Sequence, residues 1–279
     1  MDSLASILVH VDGGRHSLQR LQWARGLAAQ HAAQAHALFA VSPRFLPLPL
    51  PEGGAIPPEP LLDEIEPKHR EQAKASFARA SGGSGWPMQW RELDGEAPIA
   101  GFARQALTHD LLVLGQHDGT DPSARDVPAD FVPSVLIESG RPAIVLPKAS
   151  PHTFEEFSNV LLAWWPTREC AAALVAALPM LQRAQEVHLV SCADEAHPAV
   201  RMHEEVIEHL RNHGVESVRR HRSTDAHDPG AALLALAGGI GADLLVMGCY
   251  GHSRARELVL GGATRTVLRD LDLPVLMSH

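Results

Sequence analysis

Short apolar runs alternate with helical patterns along the whole chain. Ile7–Val11 reads as a buried strand; Leu18, Leu21, Ala24, Ala28 and His31 then recur at helical spacing, and Ala35–Val41 reads as the next strand. Further on, Thr167 caps a predicted helix that runs to about Arg183, and Val187–Ser191 reads as a strand. Asp228-Pro229 supplies an N-cap followed by a proline at the first helical position, where its missing N–H costs nothing. Near-continuous apolar strands separated by helices predict parallel sheets covered on both faces.

This pattern is written twice. Asp110-Leu-Leu-Val-Leu-Gly115 recurs 133 residues later as Asp243-Leu-Leu-Val-Met-Gly248, and Pro142-Ala-Ile-Val-Leu-Pro147 recurs 132 residues later as Pro274-Val-Leu-Met-Ser-His279. Ser6-Ile-Leu-Val-His-Val11 recurs as Asn159-Val-Leu-Leu-Ala-Trp164 at an offset of 153. The repeat predicts two α/β domains, 1–148 and 155–279, joined by a linker over Lys148–Glu155. The last strands, Ala143–Leu146 and Val275–Met277, are expected to meet between two separate sheets related by an approximate twofold axis. The first half carries about 20 extra residues, and Pro43–Pro67 holds eight of the chain's 21 prolines. That stretch is too rich in proline to continue a helix or a central strand and is expected to be a mobile surface flap.

Asp and Glu outnumber Lys and Arg by 33 to 24, a formal net charge of −9. That balance argues against nucleic-acid binding, which needs a basic surface to displace counterions. Hydrophobic residues at 45% are enough for a substantial core, and no apolar run is long enough for a membrane span. Three cysteines are too few for a disulfide framework. With Met-Asp-Ser-Leu-Ala running straight into a strand, a cytoplasmic location is expected.

The strongest chemical signal is a glycine constellation after a predicted strand: Gly248-Cys-Tyr-Gly251-His252-Ser253-Arg254, then Gly261-Gly262-Ala263-Thr264-Arg265 opening a helix from about Ala263 to Asp270. Glycines at such a turn let backbone N–H groups approach phosphate oxygens, and the helix N-terminus adds favourable partial charge. Arg254, Arg256 and Arg265 are candidate bidentate donors. The alternative is a tight turn whose glycines only permit unusual φ angles.

Gly-x2-Gly-x9-Gly after Asp-Leu-Leu-Val-Met-Gly resembles the nucleotide loop of the universal stress protein family, and the doubled pattern resembles its tandem members. The resemblance implies a doubly wound α/β fold in each half, a five-stranded parallel sheet in the order 3-2-1-4-5 with helices on both faces. Ligands then bind at the switch between strands 1 and 4. Family ATP binders hold the nucleoside with an Asp at the end of strand 1 and cradle the phosphates with the glycine loop. The resemblance therefore implies an adenine-nucleotide or anion site in the second half, built from Ala163, Trp165, Val190 and the residues of the constellation. It implies a vestigial first-half site at Asp12, Gly13 and Gly115.

Both halves depart from the family pattern. The first keeps Asp12-Gly13-Gly14, but Gly115-Gln-His-Asp118 replaces Gly-x2-Gly and Ala129-Asp130 replaces the glycine pair. Asp118 and Asp130 put negative charge where a phosphate would lie. The second keeps its loop but has Trp165 at the Asp position, and Gly262 where Ser or Thr often follows the third glycine. Strand alternation sends Trp164 and Trp165 to opposite faces.

Other chemistry has thinner support. Ser81-Gly-Gly-Ser-Gly85 reads as a turn of small residues, and no lysine stands near a glycine loop, which excludes a Walker motif. His209 and His213 are one helical turn apart, Glu205 precedes His209 by four, and His203 and Glu204 are close by; such a set could share a metal ion but reads more simply as a solvated helix face. Cys170, Cys192 and Cys249 read as small buried hydrophobes, and no catalytic residue is assigned. The expected function is a stress-responsive binding module without strong enzymatic activity, at most a slow ATPase. It would be arranged as an intramolecular pseudo-dimer that leaves further homodimerisation open. A structural adaptor with vestigial pockets and a metal- or small-lipid-binding protein are the alternatives.

Overall fold

The computed structural model describes residues 4–42, 65–83, 85–93, 95–124, 126–148, 153–221, 227–250 and 262–279. The first half contributes strands β1 (Ser6–Val11), β2 (Gln34–Phe39), β3 (Met88–Glu92), β4 (Leu111–Gly115) and β5 (Ala143–Leu146). The second contributes β6 (Asn159–Ala163), β7 (Glu186–Val190), β8 (Val218–Arg220), β9 (Leu244–Gly248) and β10 (Val275–Ser278). Their order is β3-β2-β1-β4-β5-β10-β9-β6-β7-β8. Each half thus has the order 3-2-1-4-5, parallel throughout.

The final strands do meet, but not as the rims of two separate sheets. β5 and β10 pair antiparallel, Ile144 opposite Leu276, and merge the halves into one ten-stranded sheet. Two apolar edge strands left unpaired would each expose a row of backbone donors and acceptors, and pairing satisfies both.

Helices α1 (Ser17–His31), α2 (Ile65–Ser81), α5 (Arg168–Leu181) and α7 (His203–Asn212) pack on one face; α6 (Pro198–Arg201) is a single turn before α7. On the other face lie α3 (Pro98–Ala106), α4 (Phe131–Ser139), α8 (Pro229–Ile240) and α9 (Ala263–Asp270). Side chains of each central strand alternate between the two cores: Ile7, Val9 and Val11 join the first, Leu8 the second.

The repeated Asp has a structural reason. Asp110 Oδ2 accepts the backbone N–H groups of Ala5 and Ser6, each at 2.9 Å, and Asp243 accepts those of Ser158 and Asn159 at 2.7 and 3.1 Å. In both halves this carboxylate clamps the start of the first strand against the fourth. The helix starts follow the caps read from the sequence: Thr167 Oγ1 accepts from Cys170 N, and Asp228 Oδ1 from Ala231 N. Pro67 lies in the first turn of α2, where a missing N–H is tolerated, so the proline-rich stretch does not exclude helix to its end. The rest of that expected flap, residues 43–64, lies outside the described residues.

The end of the linker is packed, not loose. Phe154 meets Trp23 of α1 edge-on at 5.1 Å, and Phe157 is buried in the same cluster. Gly26 makes this approach fit: a Cβ there would stand 2.6 Å from Cβ of Phe154.

Candidate functional site

In an open parallel sheet of this order the crevice lies beyond the carboxyl ends of strands 1 and 4. The first half has a shallow open cleft there, between the turn after β1 and the loop after β4, lined by His10, Asp12, Arg20, Gly115 and Asp118. Its floor is charged and self-satisfied. Asp12 Oδ1 accepts from Gly14 N at 2.7 Å and from Ser17 Oγ at 2.8 Å, while Oδ2 accepts from an Arg20 guanidinium nitrogen at 2.8 Å. Arg20 Nε donates to the His10 carbonyl at 2.6 Å. Asp12, Arg20 and His10 are all buried.

Burial alone would raise the Asp12 pKa, but Arg20, His10 and Ser17 outweigh it and hold the carboxyl well below its usual range. Burial and then Arg20 push His10 down to about 4, so it is neutral above acidic pH. Gly115 is the glycine that permits this packing, since a Cβ there would lie 2.2 Å from an Arg20 guanidinium nitrogen. Gly13 is likewise covered, by His69 of α2, whose Cβ would be 2.8 Å from an added Cβ.

The loop after β4 is tied to the turn after β1 through Asp118. Its Oδ2 accepts from Arg15 Nη2 at 2.6 Å and lies 3.0 Å from His16 Nε2; its Oδ1 accepts from Thr120 N and Oγ1 at 3.1 and 2.7 Å. The charge expected to repel a phosphate is therefore matched by the Arg15 guanidinium and by the Thr120 donors, which corrects the sequence reading of Asp118. Asp130, in contrast, is exposed at the N-cap of α4, makes no cap bond to the helix, and accepts from Ser134 Oγ at 3.2 Å.

The second half builds the corresponding place differently. Val160 stands opposite Leu244 as Ile7 stands opposite Leu111, so strand register puts Trp165 where Asp12 lies. Trp165 stacks on His197, ring centroids 4.5 Å apart at 26°. Trp164 and Trp165 both pack against the core on the α1 and α5 face, contrary to the alternation expected. The strand ends at Ala163, and the turn closed by Thr167 N donating to Trp165 O abolishes period two. Ala163 is half-buried and pairs with buried Val190, whose carbonyl accepts from Trp164 N.

Gly248 is pressed onto the start of α5, where a Cβ would lie 2.5 Å from Cys170 N. After it, Tyr250 sits in the left-handed region at φ 57°, costly for a residue with a side chain, and its N–H donates to Thr264 Oγ1 at 3.4 Å. That bond ties the loop to the first turn of α9, which begins at Gly262 without a side-chain cap. Thr264 is buried, Ala263 half-buried and Arg265 exposed. Gly251, His252, Ser253, Arg254, Arg256 and Gly261 lie outside the described residues. Gly230 brings α8 against the same turn, since a Cβ there would be 2.6 Å from Ala263 O, and Asp228 Oδ2 accepts from Thr266 Oγ1 at 3.0 Å.

Sequence reasoning missed Arg15, His16, Arg20 and Thr120. One signal was present: Arg20 occupies the apolar stripe of α1 between Ser17 and Ala24, and a charge there demands a buried partner. His209 and His213 face each other with ring centroids 4.4 Å apart, and no group of three or more metal-ligating side chains occurs among the described residues. Cys170 and Cys249 are buried and Cys192 half-buried. No helix among the described residues is long and apolar enough to cross a membrane.

Residues 160–279 match the sequence profile of the universal stress protein family, over the strands and loop just described. This half of the chain belongs to that family. A universal stress protein of Synechocystis is 27% identical over 183 residues, a match spanning 60% of this chain and 57% of that relative's length. A universal stress protein from Archaeoglobus fulgidus has the same fold over the whole chain: TM-score 0.72, 16% identity, 98% of this chain and 95% of that one covered. A functionally unknown protein from Pseudomonas aeruginosa PAO1 aligns with TM-score 0.54 at 16% identity, over 99% and 93% of the two chains.

Proposed function

We propose that the chain is a tandem universal stress protein, with units over 1–148 and 155–279, acting as a regulatory binding module rather than an efficient enzyme. Its second half takes an adenine nucleotide, ATP foremost, or a phosphate anion at Gly248–Arg265. Its first half takes no nucleotide. The observation that carries this is the contrast at two equivalent helix starts: neither has a side-chain cap bond, but α4 begins at the exposed carboxylate Asp130 and α9 at Gly262, which carries no side chain and no charge. The first turn of a helix has N–H groups with no partner inside the helix; an anion satisfies them, and the charge of a carboxylate beside them opposes a second anion.

Gly262→Asp tests the reading, because Asp is a good N-cap and leaves the helix intact. Calorimetric titration of the wild type with ATP and with phosphate should give binding, and the variant should lose it by tenfold or more, about 1.4 kcal/mol. Equal titration curves for the two proteins would refute it. The second reading, a structural adaptor, is favoured by one observation: Trp165, stacked on His197, stands where the family's acidic nucleoside contact is expected. On that reading neither ligand binds the wild type.

A further inference from the structure

The buried Asp118 carboxylate is surrounded as a bound anion would be. Arg15 donates to it through Nε at 3.2 Å and Nη2 at 2.6 Å, His16 Nε2 is 3.0 Å away, and Thr120 adds its backbone N–H and its hydroxyl. Arg15 also donates through Nη2 to Thr120 Oγ1 at 2.7 Å, which holds the guanidinium in place. Asp118 itself is 5% exposed, whereas the Arg15 side chain is 57% exposed, so the donors reach inward from the surface to the carboxylate. The other carboxylates that line the cleft are already matched. Asp12 is paired with Arg20, and Asp121 accepts the backbone N–H groups of Arg15 at 2.7 Å and Ser123 at 2.9 Å.

We propose that Asp118 is a tethered anion: its carboxylate fills a site for a free phosphate-class anion that Arg15, His16 and Thr120 would otherwise present in the first-half cleft. The donors are side chains of the turn after β1, not the glycine-loop amides invoked for the second half, so this is a different way of holding an anion. A tethered group competes at high effective concentration and keeps a free anion of the same class out. The position is one where the second half has Gly251, whose lack of a side chain leaves no such competitor. The inference uses the proposed second-half site only for contrast and stands if that site fails.

The test removes the tether in protein already carrying Gly262→Asp, so that any binding gained belongs to the first half. Asp118→Gly and, as the near-isosteric alternative, Asp118→Asn are titrated with inorganic phosphate to about 10 mM, where a millimolar site would saturate. Calorimetry and the His16 ring resonances in nitrogen-15 spectra are the readouts. Either variant should bind phosphate at least about tenfold more tightly than its parent, the worth of one charge-assisted hydrogen bond. Binding should move the His16 signals, vanish on adding Arg15→Ala, and raise the melting temperature of the variants but not of the parent. Folded variants that bind no better than the parent overturn the proposal. So does a parent whose His16 signals shift equally with phosphate, or failure of both variants to fold even in phosphate, since Asp118 would then be a structural anchor that no free anion replaces.

Discussion

Arg20→Met removes the cation from the floor of the first-half cleft and keeps the apolar length of the side chain. Asp12 Oδ1 retains Gly14 N and Ser17 Oγ, but Oδ2 loses its 2.8 Å donor, leaving His10 Nδ1 at 3.7 Å as the nearest cationic candidate. The His10 carbonyl also loses the Arg20 Nε bond. Breaking a buried pair by deleting one partner costs about 3–5 kcal/mol, because the remaining charge stays desolvated. For a chain of this size that corresponds to a melting temperature lower by roughly 10 °C. Adding Asp12→Asn removes the orphaned charge and should restore at least half of the loss, a coupling that marks the two residues as one unit.

The pH dependence has a definite sign. Arg20 helps hold His10 down to about 4, so its removal raises the folded pKa of His10, and the protonated ring then faces Asp12. A group whose folded pKa rises contributes stability that is present at low pH and lost as pH climbs through that value. The penalty of Arg20→Met, measured as variant minus wild type by urea unfolding, should therefore be larger at pH 8 than at pH 5.5. A loss under 1 kcal/mol at pH 8 with no recovery on adding Asp12→Asn would sink the argument.

Three further outcomes are expected. His10 and His36 are each held near 4, His36 by burial first and then by Arg91 and His109, so the unfolded chain binds protons they refuse; stability should fall between pH 6.5 and 4 by up to about 2.7 kcal/mol per pH unit from this pair, and a flat unfolding midpoint over that range would contradict it. Asp12 and Asp118, held below the usual carboxylate range, keep their contribution until lower pH and do not blunt this slope. Trp165→Asp separates a blocking indole from a stacking one: tighter ATP in the variant means that Trp165 fills the nucleoside pocket, and loss of binding means that it stacks on the base. Gly26→Ala forces a methyl against Phe154 and should cost about 1–3 kcal/mol while speeding protease cleavage in the adjoining linker; unchanged stability would show that the linker packs elsewhere in solution.

The fold was legible because its central strands are buried on both faces and two of its helices, α5 and α8, carry side-chain caps that act locally. The repeat also fixed the correspondence of the halves, and strand register agrees with it at Ile7 and Val160. The joining of β5 to β10 was only half visible. An apolar strand such as Ala143–Leu146 has the same composition whether a helix, a loop or another strand covers its edge. The direction error at Trp164 and Trp165 came from extending strand periodicity two residues past the strand's end. The site was less legible than the fold. Asp118 could be read as a charge, but not as a charge already matched, because Arg15 and His16 lie 102 or more residues away in sequence.

Duplication explains why such a departure is tolerated. On the proposed reading, a single domain with the Asp12–Arg20 pair, Asp130 at a helix start and Asp118 held by Arg15 would offer no free anion site. When two halves share one sheet through β5 and β10, the first is stabilised as a neighbour of the second whatever its own cleft does. Gln116 makes the dependence concrete. It leaves the loop after β4, beside Asp118, and its Nε2 donates to the carbonyls of Leu268 and Arg269, 3.2 and 2.7 Å away at the C-terminal end of α9. The corresponding residue of the second half, Cys249, is buried in the apolar core on that face of the sheet instead. The first half thus caps the C-terminal end of the helix that starts at Gly262. Gln116 serves the other half, whereas Asp118, in the glycine's place, is held by Arg15, His16 and Thr120 of its own half.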